Sequence, residues 1–407
     1  MSAAGFSMVK WAEETGRPVP PEERATYRRP ESSTDHRSRV KAYNRTKLAV
    51  SLLGAVLLFA FVLVVVASGL SRSIASLAST ASYDKYVAFL IFAAIFGFME
   101  IVVSLPLKLY SGFYLEHTYN LSNQTFHRWL WEQTKALLVG IPLGVPILLV
   151  FFYCLEEFGN AWWLPVAIVM FIFTTLLVRI APKLIFPLFY KFTRLEKETL
   201  KERINRLCAE AGFHIEGVFS FNMSKNTKKA NAAFTGLGKT KRVILGDTLL
   251  ESFSEDEIET VLAHELGHYC RGHIWKGILI SSVVTFVGLF ITSRLYVLTL
   301  SLFGFERVDD LAALPLLGLW LGLFGFVTNP IMNLISRKHE YEADQYAITK
   351  SGNPSAFIDA LKKLAEMNLA DSAPHPVVEF LFHSHPSIEK RVRRAESERG
   401  KYAAIPA

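Results

Sequence analysis

Residues Leu48–Leu70 read LAVSLLGAVLLFAFVLVVVASGL, a run of 23 residues without a charged side chain. At 1.5 Å per residue, a helix of this length crosses a hydrocarbon core about 30 Å thick. Five similar runs follow at Tyr86–Leu107, Ala136–Leu155, Ala161–Val178, Ile274–Phe303 and Leu311–Ile335. One such run could be a buried core helix, but six predict a multi-pass membrane protein made predominantly of α-helices.

The composition of the 407-residue chain agrees with this interpretation. Apolar residues make up 51%, charged residues only 20%, and the mean hydropathy is +0.27. These values exclude a disordered chain, a collagen and a small disulfide scaffold. The three cysteines, Cys154, Cys208 and Cys270, have no CxxC spacing and are expected to be reduced thiols.

The net charge of +7 is mainly a signal of membrane orientation. Residues 1–47 contain ten Lys and Arg, whereas the segments 71–85, 156–160 and 304–310 together contain three. By the positive-inside rule, both termini and the large polar segments 179–273 and 336–407 are predicted to be cytosolic. We therefore expect a lipid bilayer as the partner of the basic residues, and no nucleic acid. A cleavable signal peptide is not expected, because 47 mostly polar residues precede the first run.

The runs divide the chain into five parts. These are a polar basic arm (1–45), transmembrane helices one to four (46–180), a polar segment (181–273), helices five and six (274–335) and a helical C-terminal part (336–407). The arm is rich in Pro, Arg, Ser and Glu and is predicted to be disordered or loosely membrane-associated.

The polar segment is predicted to be a small α+β domain. A helix is expected over Leu195–Gly212, followed by strands at Val218–Met223, Asn231–Thr235 and Arg242–Leu245. The C-terminal part is expected to be helical, with breaks at Gly352–Pro354 and Pro374–Pro376.

One motif in the polar segment has the residue types and spacing of a catalytic metal site. Residues 254–268 read SEDEIETVLAHELGH, in which Ser254 and Glu257 have the spacing of a helix capping box. His264 and His268 are four residues apart, so both imidazoles lie on one helix face and can bind one Zn²⁺. Glu265 is adjacent and can act on a water at that ion. This is the HExxH arrangement of zinc peptidases. Two exposed histidines beside an incidental Glu are the alternative.

A third ligand is needed, since catalytic zinc has three protein ligands and one open position. Glu340 and Asp344, in the stretch EYEAD, lie on one face of a helix that continues from the last apolar run. Glu340 can bind the metal while Asp344 accepts a hydrogen bond from a ligand histidine. A solvated acidic helix face is the alternative. The small residues Ala343 and Ala347 would let another helix approach closely, which favours the metal site.

These motifs together resemble the integral-membrane zinc endopeptidases of the CAAX prenyl protease type I family. KKANAAFTG (228–236) is similar to the edge strand of that family, RVILGDTLL (242–250) to the strand after it, and HSHPSIEKR (383–391) to its C-terminal His-Pro…Arg element. The resemblance covers roughly residues 48–399. It implies six or seven transmembrane helices around an intramembrane chamber, with a zinc-protease domain at the cytosolic face.

The resemblance also implies roles for individual residues. The ligands of one Zn²⁺ per chain would be His264, His268 and Glu340, with Asp344 orienting His264. Asn231 would hold the peptide backbone, and His385 would stabilise the oxyanion with Arg391 nearby. An ordinary His-Pro turn and a surface charge are the alternatives for His385 and Arg391. His273 and His383 are taken as structural or surface residues.

We therefore expect a membrane-embedded zinc metalloendopeptidase that cuts prenylated CAAX proteins near their C-terminus, with Glu265 as the proton acceptor. The membrane would be a bacterial inner membrane or the endoplasmic reticulum. A protease that removes misfolded membrane proteins is the nearest alternative. A catalytically silent chaperone with structural zinc is a weaker one, since a structural site needs no base. Glu100, inside the second run, is either functional or faces a water-filled cavity or the interface.

Overall fold

The structure is a computed structural model that describes residues 33–236 and 241–403. The chain forms two compact units, residues 1–43 and 44–407. Most of the predicted polar arm lies outside the described residues. The part that is described is helical, because the first helix begins at Ser33 rather than near Leu48.

Fifteen α-helices and four strands make up the described chain. The helices are α1 (Ser33–Ala67), α2 (Leu70–Ala81), α3 (Lys85–Leu109), α4 (Leu115–Thr118), α5 (Phe126–Phe158), α6 (Trp163–Leu184), α7 (Phe186–Phe189), α8 (Glu198–Glu210), α9 (Asp247–Ser252), α10 (Glu255–Cys270), α11 (His273–Leu300), α12 (Leu314–Ser351), α13 (Pro354–Met367), α14 (Pro376–Phe382) and α15 (Ile388–Ala403). The strands are β1 (Phe192–Arg194), β2 (Gly217–Phe221), β3 (Ala232–Thr235) and β4 (Arg242–Gly246).

Six of the described helical segments are long and apolar enough to cross a membrane, which confirms the predicted membrane architecture. They contain α1, α3, α5, α6, α11 and α12. Between four of them, α1, α3, α5 and α12, lies an apolar cavity of about 780 Å³. Phe59, Phe92 and Phe326 line it, and so does the half-buried Glu100. The Glu100 side chain therefore faces an apolar cavity, and the prediction that this cavity is filled with water remains a prediction.

Several membrane helices are longer than their apolar runs. The 33 residues of α5 span about 50 Å, well above the 30 Å of a hydrocarbon core. The extensions of α3 and α5 reach the polar domain, where Glu132 of α5 lies 3.8 Å from Lys225. There Glu116 forms ion pairs with Lys47 of α1, at 3.1 Å, and with Lys229, at 2.8 Å. The extended helix ends therefore contact the polar domain directly.

The segment 71–85, which connects the first two predicted spans, contains the helix α2. Its buried residues Ser71, Ile74 and Ala78 recur at helical spacing, and Ile74 and Ala78 pack against α3. The apolar residues of this 12-residue helix recur with the helical period but do not form a continuous apolar run. Mean hydropathy therefore does not reveal the helix.

The four strands form one small sheet in the order β1-β2-β4-β3. β2 and β4 are parallel, whereas β1 and β3 are antiparallel to their neighbours. The strand β1 was not predicted, and the other three lie within one or two residues of the expected bounds. β3 is an edge strand, with β4 on one side only.

The core of the polar domain lies between the sheet and helices α8, α10, α12 and α13. Its fully buried members include Ile204, Leu245, Leu262 and Leu266. The predicted capping box is present at the start of α10, where the Ser254 side chain accepts from the Glu257 N–H and the Glu257 carboxylate accepts from the Ser254 N–H. These two hydrogen bonds define where α10 begins.

A close helix contact positions α10 against α12. A Cβ atom added to Gly267 would lie only 3.1 Å from the Ala343 Cα and 3.2 Å from its carbonyl oxygen. The two backbones therefore approach as closely as a glycine permits. The small residue Ala343 makes this possible, as the sequence indicated, and the contact brings the HExxH helix beside the EYEAD stretch.

Candidate metal centre

Three potential ligands converge where α10 meets α12. One ligand atom from each of His264, His268 and Glu340 lies within 4.8 Å of the others. The two histidine Nε2 atoms are 3.2 Å apart, and they lie 3.4 and 3.3 Å from the Glu340 carboxylate oxygens. Glu340 is buried, with a relative exposure of 4%.

The other ring nitrogen of His264 is held by a buried ion pair. Its Nδ1 lies 2.9 Å from Asp344 Oδ1, and Asp344 in turn accepts two hydrogen bonds from Arg391, at 2.6 and 2.9 Å. All three residues are buried. Arg391 is therefore no surface charge. It neutralises Asp344 while the carboxylate fixes the His264 ring, an arrangement typical of metal sites.

His268 has a corresponding support that the sequence did not reveal. Its Nδ1 lies 3.0 Å from Nδ1 of His273, whose Nε2 lies 3.0 Å from Glu342 Oε2. The His273 ring also stacks on His339, with 4.1 Å between centroids. His273 is 6% exposed, so it is structural, as expected, but it acts directly on a candidate ligand. The sequence indicates this role only through the position of His273 directly after Gly272. Gly272 has a φ of +69° and separates the two helices.

Glu265 projects into the adjacent cleft. No hydrogen bond or ion pair occupies its carboxylate within the part of the chain that the structure describes. Burial raises the pKa of Glu265, against the opposing effect of His264 and His268. A carboxylate with a raised pKa and no protein partner can accept and return a proton.

The cleft has a volume of about 490 Å³ and contains most of the remaining predicted residues. His385 lines it with a side chain that is 64% exposed, and its Nε2 lies 3.4 Å from Glu340 Oε1. The Ser384 Oγ lies 3.0 Å from Nδ1 of the same ring. Asn231 lies across the cleft, where β3 begins. His383 also lines the cleft but is not one of the three converging ligands, and its carbonyl oxygen accepts a hydrogen bond from Arg337.

Comparison with known proteins identifies the family. The profile of Peptidase family M48 matches residues 194–399, half of the chain, and that of the CAAX prenyl protease N-terminal region, described as five membrane helices, matches residues 13–191. The chain belongs to peptidase family M48.

Relatives that match most of the chain make the assignment more specific. An uncharacterized metalloprotease, YhfN of Bacillus subtilis, is 32% identical over 88% of this chain and 84% of its own. CAAX prenyl protease 1 of Saccharomyces cerevisiae is 33% identical over 74% of this chain and 71% of its own. The crystal structure of S. mikatae Ste24p has a TM-score of 0.81 and 29% identity, with 90% of each chain covered. This M48 protein is thus a membrane metalloprotease of the CAAX prenyl protease group.

M48 membership implies a metal, and the residues present fit one. Two nitrogens bound to a tetrahedral zinc at 2.0–2.1 Å lie about 3.3 Å apart, close to the observed 3.2 Å. Glu340 Oε2 is buried and has no hydrogen-bond partner among the described residues, which is costly unless a cation lies there.

Electrostatics also favour a cation at this position. Burial alone would lower the pKa of His264, but the nearby carboxylates of Asp344 and Glu340 outweigh this effect and raise the pKa to about 9. The two carboxylates thus favour positive charge at the His264 ring, and the same carboxylates would favour a divalent cation beside it.

Proposed function

We propose that this protein is a zinc endopeptidase that hydrolyses peptide bonds near the C-terminus of prenylated proteins, at the cytosolic face of its membrane. The observation that carries the proposal is the convergence of His264, His268 and Glu340 beside the unpartnered carboxylate of Glu265. A purely structural zinc site needs no such neighbour, which argues against the silent chaperone.

Zinc held by these three residues would supply Lewis acidity to the attacking water and to the scissile carbonyl. Glu265 takes the proton from that water and later delivers it to the leaving amine. His385 donates a hydrogen bond to the oxygen on which negative charge develops. We assign Arg391 to positioning, since its guanidinium is buried and is bound to Asp344, 2.6 Å away, although it forms part of the cleft lining.

The edge of β3 supports the binding of an extended peptide. The Gly246 N–H donates to the Asn231 carbonyl oxygen. In an antiparallel pair every second residue forms hydrogen bonds with the partner strand, so the backbone groups of Ala232 and Phe234 point away from β4. Ala232 lines the same cleft as Glu265. A substrate strand added there gains backbone hydrogen bonds regardless of its side chains, and we assign Asn231 to the same contact.

Two features favour a prenylated substrate over a soluble peptide. The relatives from yeast, plants and animals carry the name CAAX prenyl protease 1. The cleft is also lined by Phe357, Leu361 and Phe382. It lies where the extended membrane helices join the polar domain, so an isoprenoid chain can remain in an apolar environment while its peptide reaches the metal centre.

A direct assay tests the proposal. Purified protein in detergent is given a C-terminal CAAX peptide with a farnesylated cysteine, and the same peptide without the farnesyl group. We expect cleavage of the farnesylated form, loss of cleavage on adding a chelator, and its return with zinc. Equal cleavage of both peptides would support the removal of misfolded membrane segments instead. Absence of cleavage for any peptide by the zinc-loaded protein would reject the peptidase assignment.

A further inference from the structure

A second, basic groove lies outside the catalytic cleft and shares none of its lining residues. Its volume is about 920 Å³. It is formed where α11 begins and where α12 leaves the apolar run, together with the end of α10 and the helix α15. Since α11 and α12 are consecutive antiparallel spans, both contributions lie at the membrane boundary on the side of the metal centre.

The groove is strongly positive. Its charged residues are five cations, Arg271, Lys276, Arg337, Lys338 and Arg394, and one carboxylate, that of Glu342. The carboxylate is already engaged by the buried His273, 3.0 Å away. The groove therefore carries a net charge of about +4 before any ligand is bound.

Three of these cations have no protein partner. Over residues 33–236 and 241–403, no ion pair or side-chain hydrogen bond is formed by Arg271, Lys276 or Lys338, and all three are exposed. The other two are fixed in place. Arg337 is buried and donates to the carbonyl oxygens of Glu379 and His383, and Arg394 lies over the Tyr341 ring at 4.8 Å.

The membrane side of the groove is apolar. Leu334 lines it and is 48% exposed. Beside it, on the outer faces of α11 and α12, lie Trp275 (63% exposed), Leu279 (66%) and Ile331 (56%). An exposed Trp next to a Lys at the start of a span is typical of the headgroup level of a bilayer. The surface thus changes from cationic to apolar within about two helical turns.

We propose that this groove binds the headgroup of one anionic phospholipid, whose acyl chains lie along the apolar faces of α11 and α12. The lipid phosphate would form ion pairs with the unpartnered cations. The acyl chains would contact the exposed side chains of Trp275, Leu279 and Ile331. Basic pockets between transmembrane helices at this level are known receptors for anionic headgroups. The inference requires only that the protein lies in a membrane, and it stands whether or not the proposed peptide substrate is correct.

The test uses the full chain in nanodiscs of phosphatidylcholine with and without phosphatidylglycerol, with bound lipid counted by native mass spectrometry after transfer to detergent. The groove variant is R271Q/K276Q/K338Q, and R206Q/K350Q/K362Q removes the same charge from exposed positions elsewhere. We expect one retained phosphatidylglycerol in the wild type and in the second variant. In the groove variant we expect its affinity to fall about 100-fold, since each cation at a lipid surface contributes about a factor of five.

Further measurements separate electrostatic recognition from damage to the fold. The charge-conserving variant R271K/K276R/K338R should retain the lipid, and high salt should weaken binding in the wild type. Equal phosphatidylglycerol retention in the two neutralised variants would overturn the proposal. So would binding of inorganic phosphate as tight as that of the lipid, because the site would then recognise a free anion.

Discussion

His268 and His273 face each other through their Nδ1 atoms, 3.0 Å apart. A neutral ligand histidine that directs Nε2 at a metal carries its proton on Nδ1 and donates it to a neighbour. His273 accepts that proton and uses its own Nε2–H to bind Glu342. His268 is thus oriented through a second histidine, whereas His264 is oriented directly by Asp344.

The first prediction concerns this support. In His273→Ala, His268 loses its acceptor and a buried space opens beside it, so zinc affinity should fall 10–100-fold. Competition with a chromogenic chelator measures the effect. His273→Asn should restore part of the affinity, because an amide can accept at the Nδ1 position. The exposed His214 provides the control, and an His273→Ala protein that retains zinc as well as His214→Ala would contradict the role.

The second prediction concerns the proton acceptor. Glu265→Gln should retain zinc and lose cleavage activity by about 10²–10⁴-fold, because Gln has the same shape but cannot accept a proton. Metal content and kcat are measured on the same preparation. Glu251→Gln, an exposed carboxylate elsewhere, should leave both unchanged. A loss of less than tenfold in Glu265→Gln would be incompatible with general-base catalysis.

The third prediction concerns the contact between α10 and α12. Gly267→Ala places a methyl group against the backbone of Ala343, so the helices must separate, at a cost of about 1–3 kcal/mol. Glu340 moves with α12, and zinc content should fall together with thermal stability. Gly277→Ala is the matched control, since a Cβ there has no atom within 4 Å. Equal melting temperatures for the two variants would show that the contact is not tight.

Much of this architecture could be predicted from the sequence because its signals are local. The six spans follow from apolar length, the start of α10 from the Ser254–Glu257 capping box, and the candidate ligands His264 and His268 from a four-residue spacing. The break between α12 and α13 follows from Gly352 and Pro354. Each of these features is set by residues within one or two helical turns of each other.

The features that were missed depend on contacts between distant residues. Arg391 is 47 residues from Asp344, and no spacing rule connects them. Gly272 adopts the left-handed backbone conformation between two helices, and this turn brings the ring of His273 beside His268. Helical periodicity does not predict such a contact. The extension of α12 beyond its apolar run was predicted, but those of α1, α3 and α5 were not. Hydropathy ends where polar residues begin, whereas a helix continues as long as packing and backbone hydrogen bonds support it.

The fourth prediction concerns the substrate strand. Asn231→Ala should raise KM or lower kcat for peptide substrates and leave zinc content unchanged, because the side chain is exposed in the cleft and is no metal neighbour. Steady-state kinetics on the farnesylated peptide measure the change. Asn205→Ala, an exposed residue of α8, is the control. Unchanged kinetics at unchanged metal content would remove Asn231 from the binding site.

The fifth prediction concerns sidedness. Single cysteines at Tyr83 and Glu306, both exposed, should react with an impermeant maleimide in intact cells. Cysteines at Arg206 and Lys350 should react only after permeabilisation, because basic segments remain cytosolic. The background carries Cys270→Ser, since Cys270 is the exposed native thiol. The opposite labelling pattern would place the metal centre outside the cytosol.

One continuous helix, α12, extends from the far side of the membrane bundle to the metal centre and contains Pro330 in its interior. Glu340 lies ten residues beyond that proline, about 15 Å along the axis. A tilt of only one degree about Pro330 would displace Glu340 sideways by about 0.3 Å, which is comparable to the spread of about 0.2 Å in metal–ligand distances. The position of the candidate ligand Glu340 therefore depends on how rigidly a membrane span holds its angle. A change in bilayer thickness that tilts α12 would move Glu340 relative to His264 and His268.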